Sequence, residues 1–370
     1  MVAPIAQRPE RTMGVAVLYN ESQFLVKGEP RDILAEQGVV ACGRAIAEAL
    51  AAAGYKVALV PIHGDVEDAL AGHPPTEWVL FNLGEGVNGR LFEEVRIAHA
   101  IEAMGYLFTG SSGEALARST HKAQAKACLA QAGVPTPPWR LYRHPAEVVE
   151  EGLPFPLMVK PVAEDASQGI GAGAVVHDLA GLEARVGYIV KTYRQAALAE
   201  QFIAGREFNV ALWEAPPTNG PTLLGPLFRA SPPEVLPLSE IDFSAFADPY
   251  ERIVSFAAKW EEDSFAYQHT PVLNPAPVEE DLAEQIRDAA LRSWAAIGCR
   301  GYARADMRVD AAGTPYVVEV NCNPDLSPDA GFYRAARSAG YTYQDMVLRI
   351  LETAMQYSYP KLEVSVLELA

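Results

Sequence analysis

Short apolar runs alternate with polar, helix-like stretches through the first third of the chain. Residues 15–19 (VAVLY) form one run, and 56–61 and 78–82 (WVLFN) form two more, each short and apolar enough to be a buried strand. Between the first two runs lies a helical stretch that ends at Ala53, with Gly54 as its stop; Ile46 and Leu50, four apart, share one of its faces. Residues 93–104 read as a helix stopped by Gly105, and 106–109 as a further strand. Strands that alternate with helices predict a parallel α/β sheet.

The pattern then changes. Residues 119–132 predict a helix capped by Ser119 or Thr120 and ended by Gly133 and Pro135, with a Pro-rich connector at 135–138. A strand at 157–160, a Gly-rich stretch at 169–173 and a strand at 174–176 predict a small α+β unit. Farther on, Leu282, Ile286, Ala289, Ser293 and Ile297 recur at helical spacing, ended by Gly298. Two strands at 302–309 and 315–320 are joined by Asp310-Ala311-Ala312-Gly313, which is turn chemistry. The proline-dense segment 216–237 predicts a loop.

A length of 370 residues exceeds one ordinary core and implies two or three subdomains. The net charge of −17 repels phosphate backbones and argues against nucleic-acid binding, but not against ATP, because a few lysines and a bound metal reverse the field locally. Cys42, Cys128, Cys299 and Cys322 form no CxxC pair, so they read as reduced core thiols rather than a zinc site or a disulfide framework. No stretch is apolar for long enough to span a bilayer, and residues 1–12 lack an apolar signal core and read as a disordered lead-in. The expected location is cytoplasmic, with no membrane partner.

The chemistry concentrates between residues 302 and 324. Period-two alternation places Arg304, Asp306 and Arg308 on one strand face and Ala303, Ala305, Met307 and Val309 on the other; on the next strand it groups Val317, Glu319 and Asn321. Pairing across the turn brings Arg304 and Asp306 beside Glu319 and Asn321. Two carboxylates and an amide oxygen are hard ligands that suit Mg²⁺. The competing reading is a half-solvated hairpin with a charged outer face.

A second element is Lys160 at a strand end, followed by the small-residue stretch 164–171 (EDASQGIG) that includes Ser167. It suits a flap over nucleotide phosphates, or equally an ordinary Gly-rich turn. Lys122 and Lys259 are further phosphate candidates, though each alone reads as a surface lysine. Gln201, Phe202 and Ile203 sit between two strands where backbone groups could meet an adenine, and Glu207 could accept from ribose hydroxyls; spacing alone selects neither role.

In this order, the elements resemble the ATP-grasp superfamily and, within it, the D-alanine–D-alanine ligases, from about residue 15 to residue 351. The resemblance rests on separate segments at 81–112, 120–138, 160–169, 200–210 (EQFIAGREFNV), 304–324 and 340–351. It implies an α/β ATP-grasp fold: an N-terminal parallel α/β domain at 13–112, a central subdomain at 113–199, a C-terminal subdomain at 200–358 and a tail at 359–370. The implied activity is that of an ADP-forming ligase, which activates a small-molecule carboxylate as an acyl phosphate and couples it to an amine. By the same resemblance, Lys122 and Lys160 bind ATP phosphates under a flap that includes Ser167. Glu200 and the backbone of Gln201, Phe202 and Ile203 hold the adenine, Glu207 the ribose, and Lys259 reaches the γ-phosphate. Asp306, Glu319 and Asn321 hold two Mg²⁺ ions, for which Mn²⁺ is a substitute, and Arg304 stabilises the tetrahedral intermediate. Homodimers are usual in the resembling family. The tail reads as an extra strand, a dimer contact or a segment packed on its own domain.

The departures from that family fall on substrate recognition. Ala166 and Trp260 stand where a serine and a tyrosine are expected near the first substrate, and segment 20–32 (NESQFLVKGEPRD) lacks the expected Gly-Gly, His and Glu pattern, leaving Glu21 or Glu29 as stand-ins. Asp325 replaces an oxyanion-hole glycine, Ala330 a carboxylate-binding serine and Asn82 a histidine. The expectation is an amino-acid or peptide ligase with non-standard substrates, in which Trp260, Asp325 and Ala330 touch substrate. The alternatives are a genuine D-alanine–D-alanine ligase with unusual site residues and a non-catalytic ATP-binding protein.

Overall fold

The computed structural model describes residues 13–149, 152–171, 173–215 and 233–356; the lead-in at 1–12 and the tail at 359–370 lie outside the described residues. Three sheets organise the chain. In the first, β1 (Gly14–Asn20) runs between two parallel neighbours and is buried along its whole length. That double burial explains the unbroken apolar run. The first helix, α1 (Ile33–Ala52), packs Ile46 and Leu50 on the sheet face that carries Val15 and Val17. β2 (Val57–Ile62) and the short α2 (Val66–Ala69) follow, then β3 (Trp78–Leu83) on the other side of β1. α3 (Glu93–Ala103) covers the opposite face, where Ile97 and Ile101 meet Ala16, Leu18 and Leu80. The strand expected at 106–109 is instead a single parallel bridge, Leu80 to Phe108. The chain turns away at Gly110, whose φ of +88° suits glycine, before a ladder can extend.

The helix expected at 119–132 is two helices. α4 (Gly113–Thr120) is capped by Ser112 and ends at Thr120; α5 (Lys122–Gln131) is capped not by Ser119 or Thr120 but by His121, whose Nδ1 accepts from the Gln124 amide at 3.3 Å. The second sheet is antiparallel, with β4 (Trp139–Tyr142), β5 (Leu157–Pro161), β6 (Val175–Val176) and β7 (Ala197–Gln201) in the order β4-β7-β5-β6. The helix before β7, α6 (Leu179–Tyr193), buries Leu182, Val186 and Ile189 against Leu157, Val159 and Ala199.

The third sheet has the path β11-β10-β8-β12-β13. Its first members are β8 (Arg206–Glu214), β9 (Pro233–Val235) and β10 (Ser239–Ile241); β9 pairs with β8, so the loop expected at 216–237 contains a strand, while residues 216–232 lie outside the described residues. Two short helices, α7 (Phe256–Trp260) and α8 (Phe265–Gln268), precede β11 (Val272–Leu273). The long amphipathic helix α9 (Glu280–Ile297) lays Ile286, Ala289 and Ile297 on Phe208, Val210, Ala305 and Met307. Gly298 ends it in the left-handed conformation, at φ +81°. β12 (Tyr302–Val309) and β13 (Pro315–Asn321) form the hairpin, and α10 (Gly331–Ser338) and α11 (Tyr343–Ala354) follow it and join the core beneath the first sheet. The apolar face of β12 is thus consumed by α9, which leaves its charged face for the cleft.

Candidate active site

The hairpin register is Arg304 opposite Asn321 and Asp306 opposite Glu319, the pairing read from the sequence. Its other half differs. A bulge next to Asp306 leaves Val318 without an opposite residue, so Val317 pairs with Met307 and is fully buried in the apolar core rather than sharing a face with Glu319. The extra residue lets β13 bury Val317 and Val320 and still present Glu319 to the cleft. On its other side, Asp306 faces Asn209 of β8, whose amide donates to Asp306 Oδ1 at 2.7 Å. Arg304 grips both Asp306 oxygens, at 2.7 and 2.8 Å.

The cations come from the second sheet and α5. Lys122 Nζ lies 2.5 Å from Glu319 and 3.3 Å from Asp165 and is buried, not surface-solvated. Burial alone would raise the Glu319 pKa; Lys122, then Lys160 and Arg304, outweigh it and hold the carboxyl at about 2. Lys160 on β5 lies 2.7 Å from Glu200. Lys126, one turn along α5 from Lys122, lies 2.5 Å from the same carboxylate and is the most deeply buried lysine of the cleft at 1% exposure. The Glu200 side chain is therefore engaged by two lysines. Lys259 is exposed on α7, near enough to Arg304, Asp306, Asp325 and Glu319 to feel their charges.

Gln201, Phe202 and Ile203 lead from β7 into β8 as a hinge between the two antiparallel sheets. Glu207, just beyond it, pairs with Arg308 at 2.8 Å. Gly205 is required here: a Cβ would sit 1.9 Å from the Val309 carbonyl, so only glycine lets the hinge pass so close to β12.

The flap carries two consecutive non-glycine residues with left-handed backbones, Ala166 at φ 53° and Ser167 at φ 61°. Contacts from elsewhere hold them there. The Trp260 indole donates to the Ala166 carbonyl at 3.0 Å, Ser167 Oγ donates to the Val254 carbonyl at 2.8 Å, and the Phe256 amide donates to Ile170 O at 2.8 Å. Segment 20–32 binds the flap's other flank. Lys27 is ion-paired with Glu164, and Arg31 reaches Glu261 at 3.0 Å. Glu29 accepts from Tyr188 at 2.5 Å and from Arg31 at 2.6 Å, and Glu21 lies 3.6 Å from His63, so both proposed stand-in glutamates are engaged. Asn82 is turned inward and accepts from the Gly84 amide at 3.1 Å.

After the hairpin, Asp325 is exposed and accepts from the Ser327 amide and hydroxyl at 2.9 and 2.6 Å. Ala330 is the N-cap of α10 and supplies no capping side chain. Cys42, Cys299 and Cys322 are buried free thiols and Cys128 is half-buried, with Cys299 and Cys322 sulfurs 3.4 Å apart. Among the described residues no three His, Cys, Asp or Glu side chains cluster as a metal site. The hairpin instead offers two carboxylates plus an amide, a donor set that fits a magnesium ion completing its shell with phosphate oxygens and water.

Reading the sequence alone missed Lys126, Asn209, Asp165 and the part played by Arg308. Lys126 had a signal, since it lies four residues from Lys122 on one helix face. Asn209 had none, because β8 meets β12 only in the folded sheet.

Two antiparallel sheets joined by a hinge, with buried lysines of one facing an acidic hairpin of the other, define an ATP-grasp enzyme. The family model described as D-ala D-ala ligase C-terminus matches residues 129–352. A D-alanine–D-alanine ligase of Desulforudis audaxviator is 30% identical over 322 residues, covering 85% of this chain and 92% of that protein. An uncharacterized protein of Sinorhizobium fredii, y4sG, is 35% identical over 282 residues, covering 75% of each. Among solved structures, a Bacillus anthracis D-alanine–D-alanine ligase complexed with ATP superimposes with a TM-score of 0.65 at 20% identity, over 93% of this chain and 97% of that one. The chain belongs to the D-alanine–D-alanine ligase family and is an ADP-forming ATP-grasp ligase acting on small molecules. No described helix is long and apolar enough to cross a membrane.

Proposed function

We propose that the enzyme joins an amino-acid or small-peptide carboxylate to an amine other than a second D-alanine. The observation that carries this reading is the loop after the hairpin. Asp325 puts a carboxylate where the resembling family has glycine, and Ala330 leaves the start of α10 without a hydroxyl. Glu85 is exposed and lies near enough to Asp325, Asp165 and Glu36 to feel their charges. An acidic acceptor end repels a second carboxylate and attracts an ammonium or another cation.

In the first step a substrate carboxylate oxygen attacks the γ-phosphorus of ATP, and ADP leaves as the acyl phosphate forms. In the second, the amine attacks the acyl carbon, phosphate departs and the nitrogen loses its proton. Lys122, Lys160 and Lys259 offset phosphate charge. Asp306, Glu319 and Asn321 would hold magnesium, with manganese as a substitute; the metal supplies charge neutralisation of the phosphates. Arg304, released from Asp306, stabilises the oxyanion. The latched flap keeps water from the acyl phosphate.

ADP release across panels of carboxylates and amines tests the reading. The expected result is a faster rate with a cationic or non-carboxylate acceptor than with D-alanine. D-alanine alone as the best substrate would establish an ordinary D-alanine–D-alanine ligase, and no turnover with any pair would establish a non-catalytic ATP binder.

A further inference from the structure

Arg308 stands on the cleft face of β12, two residues beyond Asp306, and is buried at 5% exposure. A buried guanidinium is tolerated only when its donors are matched. Here they are spread over the segments around the hinge. Nε donates to the Ile203 carbonyl at 2.6 Å and Nη2 to the Gly205 carbonyl at 3.2 Å. Nη1 donates to Glu207 Oε2 and to the Arg252 carbonyl, both at 2.8 Å. The guanidinium also lies over the Phe202 ring, 4.7 Å from its centroid. One planar, rigid fork therefore touches four successive features of the hinge: the Phe202 face, two carbonyls and the Glu207 carboxylate. The close pass of Gly205 against Val309 brings those carbonyls within its reach.

We propose that Arg308 is a positioning residue for the nucleotide, fixing the hinge backbone and the Glu207 carboxylate in the arrangement that receives adenine and ribose. The assignment rests on the ligase reading proposed above, with the nucleotide at this hinge as the family resemblance implies. It goes further in making ATP recognition depend on a side chain that need not touch ATP. A plain strand staple would affect stability alone. A positioning residue changes ATP affinity while leaving the phosphoryl chemistry, carried by the hairpin and lysines, in place.

The experiment compares wild type, Arg308→Met and Arg308→Lys by calorimetric titration with ATP and magnesium, by steady-state kinetics and by circular dichroism. Arg308→Met should raise KM for ATP about tenfold or more, the range for losing hydrogen bonds to a charged donor. Its kcat at saturating ATP should stay within about twofold of wild type, the signature of lost uniform binding. Arg308→Lys should recover part of the affinity, since one ammonium can reach Glu207 or a carbonyl but cannot span the fork. An unchanged KM for ATP in Arg308→Met, or a fall in kcat at constant KM, overturns the proposal and leaves the ligase reading standing. If Arg308→Met does not fold, Arg308→Lys decides: wild-type ATP affinity in that variant overturns the proposal and a weaker one supports it. If wild type itself binds no ATP, the ligase reading fails and this inference fails with it.

Discussion

Glu319 shows how one carboxylate is prepared for work. Its pKa lies near 2 instead of 4.5 because Lys122, Lys160 and Arg304 outweigh the cost of its burial. A depressed carboxylate pKa stabilises the fold above the unfolded value and loses that contribution as pH falls through the folded value. The stability advantage of wild type over Glu319→Gln should therefore be complete above about pH 5 and shrink steadily toward pH 2, as read by urea unfolding of both proteins across that range. An advantage independent of pH would show that Glu319 is not the ionised partner of Lys122. Asp306 accepts from Arg304 and Asn209 and stands opposite Glu319 in the hairpin register. Asp306→Asn keeps its shape and removes its charge. Turnover should drop by about 10²–10³-fold, the usual cost of losing one preorganised electrostatic partner, with the far-ultraviolet dichroism unchanged.

Among the elements, the flap and α9 rest on different physics. The flap is held by polar contacts to strained backbone, at about 1–3 kcal/mol for each left-handed non-glycine residue. Trp260→Phe keeps the ring and removes the N–H that binds the Ala166 carbonyl. The flap should open more often and water should reach the acyl phosphate, so the ratio of ADP released to amide formed should rise above one. A ratio that stays at one would remove Trp260 from the latch. The hairpin, by contrast, is positioned from behind by apolar packing, with Ile286 fully buried against the sheet. Ile286→Ala should cost about 2–5 kcal/mol in chemical denaturation, with kcat lowered only where the hairpin shifts.

At the scale of the whole molecule, the cleft proposed for the nucleotide lies between two sheets that share a hinge, while the first sheet shares a core with α10, α11 and the end of β8. A ligand that spans the two sheets should therefore stabilise the molecule as a unit. ATP at a hundred times its Kd, with magnesium present, should add about 2.7 kcal/mol to the unfolding free energy. Chelating the metal with EDTA should abolish turnover and remove most of that gain, and added magnesium should restore both. Stabilisation by ATP that survives chelation undiminished would detach the hairpin carboxylates from metal binding.

The sequence alone determined the elements and the first-order chemistry. Uninterrupted apolar runs marked the buried strands β1 and β3 but also β2, an edge strand with Leu59 exposed; the 3.6-residue repeat marked α9, and period-two alternation put Arg304 and Asp306 on one face. These are local properties, set by spacing along one strand or helix. The tertiary structure decided whatever depends on which strands become neighbours. The bulge that sends Val317 to the core arises from pairing β13 with β12 while α9 demands apolar contacts. The pairing of β8 with β12 brought Asn209 to Asp306, and the packing of α5 made Lys126, to which the sequence alone assigned no role, a buried partner of Glu200. Residues 16 to 161 positions apart in the chain supply the contacts of Glu36, Tyr193 and Arg308, and no local pattern encodes them. Spacing along a chain fixes which way a side chain faces, whereas only packing fixes what it meets.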